Sequence, residues 1–327
     1  MDANRSIQKE IPSLWQAAKR EMDDYQFIGN YVQPKWNIPS KIGISCAVSP
    51  RSSGESDRGH ISTSIEHYID EASSVIEAGA WMVHIDFTWV SDETGRRLDQ
   101  IPPVEAYSMV LEPLRRRHGD SFVANLNVLN GSTFEECMSP IVAGLAEVCP
   151  CAPGHPEEFL EPAVRTMMAN GALPNLAIHN SGEIELIKRR LLDTGLLKGP
   201  AMWALLFGLP FDVARTLLSG NCVMDADDMV RQMMLMIHQI EKLQPGTPLL
   251  IVAAGRATVY MTTLATMLGH HIHVGTEDTR FMYPNSDEEF KSNLEIFNRA
   301  KLIAELHGRT VATADEMREV FGMSKRS

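Results

Sequence analysis

The chain is poor in the features that would mark most specialised functions. Basic residues are outnumbered, with 30 Lys and Arg against 42 Asp and Glu and a formal net charge of −12. No Lys/Arg run exceeds Arg115–Arg117, so the counterion release that holds proteins on nucleic acid is lacking and such a partner is not expected. Cysteine is scarce and odd in number, at Cys46, Cys137, Cys149, Cys151 and Cys222, which argues against a disulfide framework. Cys149-Pro150-Cys151 lacks the second Cys/His pair of a structural metal site. No apolar run approaches the roughly 18 residues of a membrane span. The start, MDANRSIQKEIPSLW, has neither the apolar core nor the cleavage site of a secretory signal, and the expectation is a cytoplasmic protein with a small-molecule substrate. G-x-S-x-G, Walker and G-x-G-x-x-G patterns are also missing, which disfavours serine-elbow hydrolysis and glycine-driven nucleotide binding.

What remains is an ordinary globular composition of 327 residues, 44% apolar and 22% charged. After an N-terminal arm over 1–40, short apolar runs alternate with amphipathic ones. Strands are expected at Gly43–Val48, Trp81–Phe87, Phe122–Val128, Leu145–Cys149, Asn175–His179, Ala201–Leu206, Pro248–Ala253 and His271–Val274. Helical periodicity follows each of them, the last over Ser286–Leu306. Parallel strands alternating with helices, without a break in composition, predict a single (β/α)8 TIM barrel over 41–327, because closure removes both sheet edges. An open doubly wound sheet is the alternative. In a barrel the loops after the strands carry the active site, so polar residues at strand ends are the candidates.

The second strand ends His84-Ile85-Asp86. A spacing of two puts imidazole and carboxylate on one face, as a metal or acid/base pair or as a buried hydrogen bond stiffening the rim. The eighth strand runs from His270 through His273 to Glu277-Asp278. Only the first strand separates the second from the eighth around a closed barrel, so Glu277 can approach His84 and Asp86. One His and two carboxylates suit zinc or another divalent cation with positions open to substrate. His270 and His271 read more simply as packing or surface residues. His179 ends the fifth strand, and Arg256 opens the loop after the seventh as an anion clamp or a salt bridge. Asn127 and Asn130 end the third, able to orient a carbonyl or carboxylate, although Asn130-Gly131 also reads as a plain turn.

The order Glu77-Ala78-Gly79-Ala80, Val83-His84-Ile85-Asp86, Phe207-Gly208-Leu209-Pro210, Ala253-Ala254-Gly255-Arg256 and Val274-Gly275-Thr276-Glu277-Asp278-Thr279 resembles the β-keto acid cleavage enzymes over roughly Ile42 to Glu319. The resemblance implies a TIM barrel, a divalent metal that is usually zinc, and conversion of a β-keto acid plus acetyl-CoA to acetoacetate and a new acyl-CoA. It further implies metal ligands at His84, Asp86 and Glu277, proton transfer at Asp278, and a homo-oligomer, dimer or tetramer. Asp86 stands where the family has a second histidine, which favours harder ions such as Mn2+ or Mg2+. His273 stands where the family has an arginine, and Ala177 where a catalytic glutamate is expected, with His179 two residues on. These departures at the mouth leave three readings: the family's acyl transfer with His179 or His273 moving protons, a CoA-independent lyase, decarboxylase or aldolase, and a non-catalytic metabolite-binding barrel.

Overall fold

A computed structural model describes residues 14–20, 35–49, 64–127, 129–198, 201–208, 223 and 225–324. The chain divides into two units, Met1–Ile38 and Pro39–Ser327. In the first, residues 14–20 form a helix that exposes Trp15. Tyr25 and Phe27 of the arm, Cys222, and Leu209-Pro210 lie outside the described residues, as does Val128.

The second unit is a closed parallel barrel of eight strands in sequence order. They are β1 (Ile44–Ala47), β2 (Met82–Ile85), β3 (Val123–Leu126), β4 (Val148–Cys151), β5 (Leu173–Ile178), β6 (Met202–Phe207), β7 (Leu249–Ala253) and β8 (His271–Val274). A helix follows each strand: α1 (Ile65–Ala78), α2 (Pro103–His118), α3 (Phe134–Val142), α4 (Glu157–Ala169), α5 (Ser181–Ile187), α6 (Ala226–Leu243), α7 (Ala257–Met267) and α8 (Asn293–Leu306). Local chemistry sets these limits. Ser64, Asp225 and Ser292 cap α1, α6 and α8 by accepting backbone N–H bonds. Gly79, at φ 115°, turns α1 directly toward β2.

Several boundaries differ from the sequence pattern, β5 starting at Leu173 rather than Asn175 and β2 ending at Ile85 rather than Phe87. β4 runs Val148–Cys151 rather than Leu145–Cys149, because Leu145 closes the turn after α3 through its N–H to the Pro140 carbonyl. The ladder then continues through Pro150, which pairs with Asn175. The last barrel helix starts at Asn293, where Ser292 supplies the cap, and α5 passes at Lys188 into a five-residue π-helical turn.

Side chains alternate between two apolar clusters. Val83, Ile85, Ala124, Leu126, Leu176 and Ile272 pack outward beneath the helices, while Met82, Val123, Val148, Met202 and Leu250 fill the lower lumen. The ladder registers stagger neighbouring strands so that alternate strands share a level. Met82, Val148, Met202 and His271 make one level. Above it come Ser45, Asn125, Asn175 and Leu250, and then His84, Pro150, Ala204 and His273. The lumen thus changes from apolar to polar on the way to the strand C-termini. Cys149 and Cys151 belong to the outer cluster, and burial pushes both thiols up, Cys151 to about 12. They are packing residues.

The N-terminal mouth is plugged by α9 (Ala314–Val320), which has a capping box at Thr313 and Glu316. Phe321 stacks on Trp81 with centroids 5.6 Å apart. Arg318, 1% exposed, donates to Glu147 at 2.9 Å and to the Phe122 carbonyl. Glu147 also binds Arg115. Arg309 donates to the carbonyls of Pro39, Lys41, Thr266, Gly269 and His270 and so ties both ends of the barrel unit together.

His271 has a structural task at this end: its Nδ1 accepts the Gly43 N–H at 2.9 Å. Burial, with Arg309 and His270 nearby, pushes its pKa from the ordinary 6.5 down to about 3. The unfolded chain therefore binds the proton first, so this histidine lowers stability as pH falls from about 6.5 toward 3. His271→Asn, which keeps an acceptor for Gly43, should show a shallower fall of melting temperature between pH 7 and pH 4 than the wild type. Identical slopes in calorimetry would refute this role.

Candidate active site

Closure brings β8 beside β1 and within one strand of β2, and the groups at their C-terminal ends converge. Gly275 makes this possible. At φ 156° it lies so close to β1 that a Cβ there would sit 2.0 Å from the Ala47 carbonyl oxygen. The following turn is fixed by the Asp278 and Thr279 N–H groups on the Gly275 carbonyl, and the Glu277 N–H points to the Ala47 carbonyl at 3.3 Å. The residue pair Glu277-Asp278 is thereby held over the lumen.

Two imidazole–carboxylate pairs result. His84 Nε2 is 3.7 Å from Glu277 Oε2, and His273 Nε2 is 3.6 Å from Asp278 Oδ2. The two rings meet edge to face with centroids 6.2 Å apart. Ser45 Oγ donates to the Ile272 carbonyl at 3.3 Å and lies 2.7 Å from His273 Nδ1. With its proton on that carbonyl, the hydroxyl accepts Nδ1–H and leaves the Nε2 lone pair toward Asp278. Burial, with His84 adding to it, pushes His273 down to about 3. Burial and then the Glu277 charge push Asp278 well above the usual carboxylate range. Both shifts favour the neutral form of each group.

Asp86, expected beside His84 and Glu277, is hydrogen-bonded within its own rim. Its Oδ1 accepts from Thr88 N and Thr88 Oγ1, and its Oδ2 accepts from Asn127 Nδ2 at 3.0 Å. Among the described residues no three His, Cys, Asp or Glu side chains form a group that could hold a metal ion. The Asp86 carboxylate anchors the loop after β2. Trp89 in that loop adopts a left-handed φ of 74°, and the Arg97 guanidinium lies 4.1 Å over its ring. Such backbone strain persists only where surrounding contacts over-determine it.

The other candidates are placed as follows. Asn127 Oδ1 accepts the Leu129 N–H, and Asn130 Nδ2 donates to the Tyr107 hydroxyl, itself bound to the Asn127 carbonyl. Both asparagines therefore shape the β3 loop. His179 is joined to Glu183 through its N–H at 2.6 Å and its Nδ1 at 3.2 Å. Arg256 binds the Ser286 carbonyl and the Asp287 carboxylate and stacks on Phe281. Its competing reading as a salt bridge is the one realised here. Ser45, Glu183 and Asn175 escaped the sequence reading, whereas Asn125 stands in the third-strand run whose amides it names. The i, i+4 spacing of His179 and Glu183 is the only local signal for any of them.

The chain matches the model of the family described as beta-keto acid cleavage enzyme over residues 41–323. It is 24% identical over 297 residues to the 3-keto-5-aminohexanoate cleavage enzyme of Acetoanaerobium sticklandii, covering 87% of this chain and 99% of that one. The enzyme of the same name from Fusobacterium nucleatum is 22% identical over 301 residues, with the same coverage. Among solved structures, apo ObcA gives a TM-score of 0.59 at 16% identity, covering 81% of this chain and 66% of ObcA. This chain therefore spans about two thirds of ObcA. A ternary complex of ObcA with a C4-CoA adduct and oxalate gives 0.58 at 17% identity, covering 81% and 68%.

The Ser45–His273 contact yields a direct test. In Ser45→Ala the His273 ring should lose its tautomer preference, read from the side-chain 15N shifts, and Ser45→Thr should restore it. An unchanged spectrum in the alanine variant would show that the hydroxyl does not set the proton's position.

Proposed function

The chain belongs to the β-keto acid cleavage enzyme family, and we propose that it cleaves the C–C bond of a 3-oxo acid with acetyl-CoA as co-substrate, giving acetoacetate and a new acyl-CoA. The observation that carries this reading is the packing of two imidazole–carboxylate pairs, His84–Glu277 and His273–Asp278, side by side at the β2 and β8 ends. Such a site can move a proton at one pair while the other meets charge developing on a carbonyl oxygen.

A divalent cation fits His84 and Glu277 as its two protein donors, since bonds of about 2.0–2.2 Å from each can span their 3.7 Å separation. Water and substrate would complete the shell, in the manner of Mg2+ and Mn2+ sites rather than a closed zinc site. When bound, such an ion supplies Lewis-acid polarisation of the keto oxygen. The protein's own groups do the rest. Asp278 Oδ2, facing the His273 Nε2 lone pair, holds the proton exchanged with the substrate carbon. His179, braced by Glu183, stands at the β5 end as a second proton carrier. Asp86 and Asn127 lock the two loops that wall the site. Arg256 lies in the loop after β7, where a substrate carboxylate or CoA phosphate can take it in exchange for Asp287.

Purified protein incubated with acetyl-CoA and a panel of 3-oxo acids should release acetoacetate and the matching acyl-CoA. Scission that proceeds equally without CoA would favour the lyase reading instead, for which the replacement of the family's arginine by His273 is the supporting feature. Asp278→Asn should lower kcat by on the order of 10²–10⁴. His84→Ala and Glu277→Gln should each strip bound Mn2+, Mg2+ or Zn2+, as read by elemental analysis of protein purified under metal-replete conditions. Metal content at the wild-type level in both variants would remove these two residues as ligands.

A further inference from the structure

One level below His84 and His273 the lumen holds two polar groups that the site does not use. Asn125 and Asn175 are 2% and 6% exposed. Each faces inward, because Val123 and Leu173 of the same strand faces pack with the inner cluster, whereas Ala124, Leu126 and Leu176 pack with the outer one. Asn125 Oδ1 and Asn175 Oδ1 accept no hydrogen bond from any described residue. A buried carbonyl oxygen left without a donor is a standing cost to the fold.

The ladder registers explain why nothing in the barrel satisfies them. Asn125 and Asn175 share a level with Ser45, which is already committed to Ile272 and His273, and with Leu250, which is apolar. Over them stand Pro150, which has no side-chain donor, and Ala204, with Ala177 on the next level. The side chains over the two acceptors on the β4–β6 side are thus small and without donors, up to the rim where the titratable pairs lie. The register partner of Asn125 is His84 itself, which places the carboxamide one strand away from the candidate cation donor.

We infer that Asn125 and Asn175 form a binding subsite for an uncharged hydroxyl on the chain of the substrate. A hydroxyl supplies one donor, which either oxygen can take, and an acceptor for the N–H of the other carboxamide. An ammonium or a carboxylate would be buried on a level with no charged side chain, and either costs far more than a neutral O–H. A site built to hydrogen-bond a hydroxyl rejects the analogue lacking it strongly, because the buried acceptors are then left unpaired. The inference rests on the cleavage reading for the identity of its substrate, a hydroxylated 3-oxo acid.

The probes are 3-oxo acids bearing a hydroxyl on C5 or C6 and their unsubstituted counterparts of equal length. Wild-type protein should favour one hydroxylated acid by at least about a hundredfold in kcat/KM, and that acid should raise the melting temperature more than its counterpart does. Asn125→Leu and Asn175→Leu should abolish the preference, while the melting temperature of the unliganded protein rises because an unpaired carbonyl is gone. If either leucine variant fails to fold, Asn125→Ala or Asn175→Ala carries the same preference test. Equal treatment of the two acid types by wild type, or a preference that survives in both variants, overturns the subsite. If no acid is cleaved at all, the cleavage reading fails, and the melting shifts with the hydroxylated and plain acids still decide whether the subsite exists.

Discussion

The hydrogen-bonded seam between β8 and β1 is the constraint on which the rest depends. Without it the sheet has two open edges, and His84 is separated from Glu277 by the full width of the fold. The seam demands close backbone approach, which is why Gly275 sits where any Cβ would strike Ala47. The same glycine starts the turn that delivers Glu277 and Asp278 over the lumen. Closure and site assembly are therefore one event, and a residue that serves the architecture also sets the chemistry.

Much of this could be read from the chain. Eight strand–helix alternations, caps at Ser64 and Asp225, and the Gly79 turn carry strong local signals, and they set the barrel. The approach of Glu277 to His84 followed from closure and strand order alone. The role of Asp86 did not. Its spacing from His84 is that of a paired ligand, and only coordinates reveal that Thr88 and Asn127 occupy its oxygens. Arg256 was legible as either clamp or salt bridge, and the Asp287 that settles its resting contact lies 31 residues away. The lumen roles of Ser45, Asn125 and Asn175 were not legible for a similar reason. Each is one polar residue inside an apolar strand, and its meaning depends on which level of the lumen it reaches, a property of register rather than of sequence.

The departures from the family's pattern form a connected set. Where a histidine ligand is expected, Asp86 anchors the β2 loop. Where an arginine is expected, His273 is wired to Ser45 on the neighbouring strand and faces Asp278. A guanidinium would keep Asp278 ionised by its charge, whereas a neutral imidazole in a buried setting lets burial and Glu277 raise the Asp278 pKa. The mouth has exchanged fixed positive charge for a group that can take and return a proton.

A polar lumen is expensive, and the structure shows where the compensation lies. Below the Ser45 level the barrel is filled by Met82, Val148 and Met202, and α9 closes the mouth with Phe321 on Trp81. Arg318 and Arg115 share Glu147 there, and losing one partner of such a buried set costs about 3–5 kcal/mol. The floor is thus locked by contacts that no substrate touches. That division allows the upper half to keep acceptors without donors and two buried acid–imidazole pairs, because the stability of the closed sheet is secured at the opposite end from the chemistry.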